Sequence, residues 1–211
     1  MANRRVKSLF ITFEGPEKSG KSTQAKLLKE YLLESGQKCL FIREPGSTKL
    51  SEKIRDILLD KKNTNITPFT EMFLYMTARA QLVEEVIEPA LKSGKIVICD
   101  RYHDSTIAYQ GYGLGLDIKI INKIGEFVTK CITPDITILL DMSDETRPTQ
   151  KGYVKDRIEL RSRRYHNKVR QGYFRLAKQE PKRIKIVKVK DDVFATQRKI
   201  REIIAKCLLK K

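Results

Sequence analysis

Eight residues near the start of the chain, Gly15-Pro16-Glu17-Lys18-Ser19-Gly20-Lys21-Ser22, constrain its fold more than any other stretch. They spell G-x-x-x-x-G-K-S. An apolar run, Ser8–Phe13, leads into them, and a segment with helical periodicity, Ser22–Glu34, leads out. A strand that turns through glycines into a helix N-terminus forms a nest of backbone N–H groups, which binds phosphate. In that arrangement Lys21 reaches the outer phosphates of a nucleotide and the Ser22 hydroxyl binds Mg²⁺. The whole turn, from Gly15 to Thr23, is the expected ATP-binding element.

The remaining chain alternates strands and helices. Apolar runs at Lys38–Ile42, Ile96–Asp100, Ile136–Asp141 and Ile184–Val189 join the first as strands. The first four are nearly continuous in apolar residues, as in a parallel sheet covered on both faces. The fifth alternates and reads as an edge. Helices are expected at Leu50–Leu59, Thr70–Lys92 with a kink near Pro89, Asp117–Cys131 behind an Asp cap, Ile158–Gln179 and Asp192–Leu209. The pattern predicts an α/β fold, a five-stranded parallel sheet with helices on both faces, in a single domain over 1–211. The stretch Ser143–Lys155 carries no strand or helix pattern and reads as part of a mobile lid at about 143–158.

Composition narrows the class. The 211 residues hold 43 Lys and Arg against 26 Asp and Glu, a net charge of +17, and 40% are hydrophobic, enough for a core. The charge suits a nucleic-acid binder, a handler of smaller polyanions, or a merely Lys-rich surface. No run is long enough to span a bilayer, and no signal-peptide core opens the chain. Four cysteines and two histidines stand without metal-ligand spacing, so neither zinc nor a disulfide framework is expected, and a reducing cytoplasm fits.

A second motif bears on chemistry. The strand Ile96–Asp100 ends in an aspartate suited to hold Mg²⁺ through water, with Asp141 at the end of Ile136–Asp141 as a competitor. Arg101 follows Asp100 where many phosphate hydrolases carry a carboxylate. An acceptor that is already anionic needs cations rather than a strong base, which favours a kinase acting on a phosphorylated acceptor. Lys18, Arg43 and Arg79 supply further cations, as do Arg147, Lys151, Lys155 and Arg157 around the lid.

Taken in order, these segments resemble the thymidylate (dTMP) kinases over about residues 8–180. FEGPEKSGKSTQ resembles the family's opening. REPGST, residues 43–48, is similar to REPGGT with Ser47 in place of a glycine. Tyr75 precedes Arg79 by four, where the family usually has Phe. DRYHDSTIAYQGYGLGLD, residues 100–117, and DRIE, residues 156–159, followed by VRQGYFRLA, residues 169–177, complete the match. The resemblance implies transfer of the γ-phosphoryl of Mg·ATP to dTMP by a homodimer with no nucleic-acid or membrane partner. It places Tyr75 against thymine and Arg79 on its carbonyl edge, with Arg43 and Arg101 on the phosphates. Glu17 would contact the sugar 3′-OH or an associated Mg²⁺. Thr106 and Gln110 lie on the acceptor side, Tyr109 packs under the deoxyribose, and Glu159 faces the acceptor site. Lys18, with Lys21 and Arg101, is favoured as the catalytic cation over any single lid residue. Another nucleotide kinase, or a basic nucleic-acid-binding protein, is the rival reading.

Overall fold

A computed structural model describes residues 8–142, 154–190 and 192–209. Most of the expected lid, with Arg147 and Lys151, lies outside the described residues. The described elements run β1 (Leu9–Glu14), α1 (Lys21–Glu34), β2 (Cys39–Arg43), α2 (Lys49–Leu59), α3 (Pro68–Leu82), α4 (Glu88–Lys92), β3 (Ile96–Asp100), α5 (His103–Thr106), α6 (Ile118–Val128), β4 (Ile136–Asp141), α7 (Arg163–Gln179), β5 (Ile184–Lys188) and α8 (Val193–Leu208).

All strand pairs are parallel, in the order β2-β3-β1-β4-β5. β1 sits at the centre, so its side chains alternate between two covered faces. Leu9, Ile11 and Phe13 join Leu28, Leu32, Ile200 and Ile204, from α1 and α8, in one core. Phe10 joins Ile42, Leu82, Val97 and Tyr102 on the opposite face. The same alternation turns Glu14 toward α5 and α7, where a carboxylate is sealed from water. β2 departs from the expectation of two covered faces. It is an edge like β5, and most of its residues are only half-buried.

Two helix readings need correction. The expected helix Thr70–Lys92 starts two residues earlier, capped by the Thr67 hydroxyl, and is interrupted by a π-helical turn at Val83–Ile87. Pro89 lies in the first turn of α4 and has no N–H to continue the ladder, which fits a break just upstream. The expected helix from Ile158 begins instead at Arg163, behind the Ser162 cap. The Asp156 carboxylate accepts from the N–H groups of Ile158 and Glu159 at 2.8 and 2.9 Å, winding 157–160 into a turn. One helical segment escaped the sequence reading. α5 continues as a π-helix over Ile107–Gly113, because the composition of 100–117 reads as a motif rather than as a periodic pattern.

β1 has β3 on one side and β4 on the other, so the chain's crossovers diverge there and open a crevice at the strands' carboxyl ends. Among the described residues no helix is long and apolar enough to cross a membrane.

Candidate active site

A cavity of about 270 Å³ opens where β1, β2 and β3 end. Glu17, Lys18, Lys21, Ser22, Arg43, Tyr75, Arg79, Asp100, Arg101, Thr106, Tyr109, Gln110 and Glu159 all line it. Gly15, Pro16, Ser19 and Gly20 form the turn behind, while Thr23 is exposed on α1.

The turn is built by close approach. A Cβ on Gly15 would stand 2.3 Å from the Leu140 carbonyl oxygen, so only glycine fits between β1 and β4. Lys21 is buried and donates to the Pro16 carbonyl at 2.7 Å. Burial and the neighbouring Arg101 charge pull its ammonium down to about 8. Ser22 Oγ donates to Asp100 Oδ2. That contact separates the two candidate aspartates, since Asp141 is engaged by Arg170 through bonds of 2.8 and 3.0 Å. A hydroxyl and a carboxylate are hard oxygen ligands. The pair therefore fits Mg²⁺, which keeps water and substrate phosphates as its other ligands.

Arg101 occupies the middle. Its Nη1 donates to Gly15 O at 3.0 Å, Tyr173 Oη at 3.1 Å and Ser105 Oγ at 3.2 Å. Nη2 donates to Tyr109 Oη at 3.1 Å and Glu17 Oε1 at 3.3 Å. Glu17 also accepts from the Tyr109 hydroxyl. Burial would raise Glu17, but Arg101 and Lys21 overcome it and hold the carboxyl below its ordinary range. Glu14 lies behind this group, accepting from Tyr102 N–H at 2.8 Å, Ser105 Oγ at 2.5 Å and Tyr173 Oη at 2.8 Å. Burial and the Asp104 charge push Glu14 up to about 7.

At the far end Arg79 is 2% exposed and pairs with Glu44 at 2.7 Å. Its other nitrogens contact Met76 Sδ, His103 Nδ1, the Tyr102 carbonyl and Thr106 Oγ1. Every donor of the fork is therefore engaged, and a base contact requires one of these bonds to be exchanged. Ser47 has φ 69°, in the left-handed region that favours the glycine found there in REPGGT. Its hydroxyl accepts from Arg43 N–H at 2.9 Å, and its own N–H donates to Glu52 at 2.7 Å.

Sequence reasoning missed Glu44, Arg55, Ser105 and Asp156, which also line the cavity. A signal existed for Arg55. It stands four residues after Ser51 and three before Leu58, both buried, so a cation lies beside the inward stripe of α2.

A family model described as thymidylate kinase matches residues 13–200. A thymidylate kinase of Thermoanaerobacter sp. (strain X514) is 46% identical over 204 residues, covering 96% of this chain and 100% of the relative. One of Symbiobacterium thermophilum is 44% identical over 202 residues, covering 95% and 94%. A solved thymidylate kinase from Ehrlichia chaffeensis is 32% identical, with a TM-score of 0.77 over 93% of this chain and 98% of that one.

Proposed function

The chain belongs to the thymidylate kinase family, and from that membership we propose how its cavity performs the family's reaction. The reaction moves the γ-phosphoryl of ATP to dTMP, giving dTDP and ADP. The observation that carries the reading is the convergence of Lys21, Arg101 and Arg79 on one cavity.

The acceptor phosphate oxygen attacks the γ-phosphorus, and the bond to the β,γ-bridging oxygen breaks toward ADP. Little covalent work falls to the protein, so positioning and charge stabilisation dominate. Lys21 and the turn Gly15–Thr23 hold the donor phosphates. Arg101 spans donor and acceptor, already anchored to four side chains and a carbonyl before either ligand binds. Lys18 and Arg43, which both line the cavity, add positive charge, and Arg55 does so from α2. Ser22 and Asp100 would hold Mg²⁺, with Glu17 near it, where it would neutralise phosphate charge. Tyr75, Arg79, Thr106 and Gln110 surround the base. Tyr109 lies under the sugar, with Glu17 at the 3′-OH and Glu159 at the acceptor side. Residues about 143–158 act as the lid.

The working form we propose is a homodimer. Phe69 and Phe73 on α3, with Ile120 and Phe127 on α6, are exposed on two helices that pack together. A second copy would cover them, and light scattering of wild type beside Phe73→Glu reads this directly. The four cysteines are free thiols, as a reducing cytoplasm would keep them.

A panel of nucleoside monophosphates with Mg·ATP tests the activity. dTMP is expected to turn over fastest. Faster turnover of AMP, CMP or GMP would assign the site to another nucleotide kinase.

A further inference from the structure

Glu71 sits in the first turn of α3, wholly buried at 0% exposure. Its Oε1 accepts from Gln110 Nε2 at 2.9 Å and from Arg161 Nη1 at 3.2 Å. Its Oε2 accepts from Arg157 Nη2 at 2.6 Å and Arg161 Nη2 at 2.7 Å. A carboxylate only accepts, so it determines which end of the Gln110 amide turns toward it. The amide nitrogen faces Glu71. Gln110 Oε1, which no donor among the described residues reaches, is left for the cavity that Gln110 lines.

We infer that Glu71 is a positioning residue for acceptor choice, locking Gln110 so that the cavity offers the base a hydrogen-bond acceptor. The inference rests on the acceptor-site reading given above. An acceptor at that point matches a ring N–H, which the imide bases thymine and uracil carry at N3. Cytosine carries a bare lone pair there. Two lone pairs would then face each other, and a site built to receive an N–H rejects the base that lacks one. The arginines give the lock its direction. Two short bonds of 2.6 and 2.7 Å reach Oε2, against a single longer one of 3.2 Å from Arg161 to Oε1, so in Glu71→Gln the new amide oxygen is drawn to the Oε2 side and its NH₂ is turned on Gln110. Gln110 must then rotate its oxygen inward and present N–H groups to the cavity.

The test compares kcat/KM for dTMP, dUMP and dCMP in four proteins: wild type, Glu71→Gln, Gln110→Leu and the double variant. Glu71→Gln is expected to lower the dTMP to dCMP ratio by roughly tenfold or more, with dTMP and dUMP falling together. In the Gln110→Leu background the same substitution should change the ratio by less than about twofold, since no amide remains to be turned. Glu71→Asp keeps a carboxylate and should keep the ratio within about threefold of wild type. That variant decides the matter if Glu71→Gln does not fold, and a collapsed ratio in it overturns the lock. Equal losses on all acceptors in Glu71→Gln also overturn it. Failure of wild type to use dTMP would instead overturn the acceptor-site reading, and the lock with it.

Discussion

Arg101 Nη2 lies 3.3 Å from Glu17 Oε1, joining the loops that leave the adjacent parallel strands β3 and β1. The pair is mostly withdrawn from water, each side chain 19% exposed, so its geometry is held before substrate arrives. A fork held in this way stabilises charge in the transition state without reorganising. Arg101→Ala is expected to lower kcat on the order of 10²–10³-fold while changing ATP affinity by less than about tenfold. Turnover assays beside binding calorimetry separate the two. Loss of affinity as large as loss of turnover would make Arg101 a structural residue.

Lys18 and Arg101 share a second property. Both have positive φ, 61° and 71°, although neither is glycine. Left-handed backbone disfavours residues with a Cβ by roughly 1–2 kcal/mol, and such strain collects at functional sites. Lys18→Gly relieves the strain and removes the cation together. The variant is expected to melt no lower than wild type while turning over about tenfold or more slowly. A lowered melting temperature with unchanged turnover would contradict both halves of the argument.

Much of this site was legible because its residues sit in short contiguous motifs. Lys21 and Ser22 follow the turn, Asp100 and Arg101 end a strand, and Tyr109 and Gln110 close a block. The strands were legible too, since burial on both faces forces continuous apolar runs such as Ile96–Cys99. What escaped depends on tertiary partners. Glu71 reads as an ordinary helix charge until Arg157 and Arg161 are brought to it from 86 and 90 residues away. It does stand four and eight residues before Tyr75 and Arg79, on their face of α3, and that spacing was the available signal. The start of α7 at Arg163 was hidden because Asp156 captures the backbone locally, which competes with helix without altering the hydrophobic pattern.

Lys21 carries a depressed ammonium, with a value of about 8 in the free protein, because burial and Arg101 disfavour its charge. Donor phosphates favour the charged form. ATP binding should therefore take up a proton as pH rises through about 8, and affinity should weaken over the same range. Calorimetry in buffers of different ionisation enthalpy reads the uptake. In Lys21→Met the proton should vanish from the balance, leaving weaker binding whose residual pH dependence comes from other groups. Uptake of the same size in that variant would assign the proton elsewhere.

Glu14 gives the opposite kind of signal, in stability. Its carboxyl is raised from 4.5 to about 7 by burial and by Asp104, so the folded state holds a proton that the unfolded chain releases. The contribution is fully present below about 4.5 and is lost as pH rises through about 7. The ligand-free protein should lose this part of its stability between those values. Glu14→Gln mimics the protonated acid. Its carbonyl can still accept from Tyr102 N–H, and its amide can donate to the Ser105 and Tyr173 hydroxyls, which rotate to accept. Melting curves taken across that range should be flatter for Glu14→Gln than for wild type, the two lying closest at the acid end. Parallel curves would mean that Glu14 is ionised throughout, held so by Arg101 against its burial.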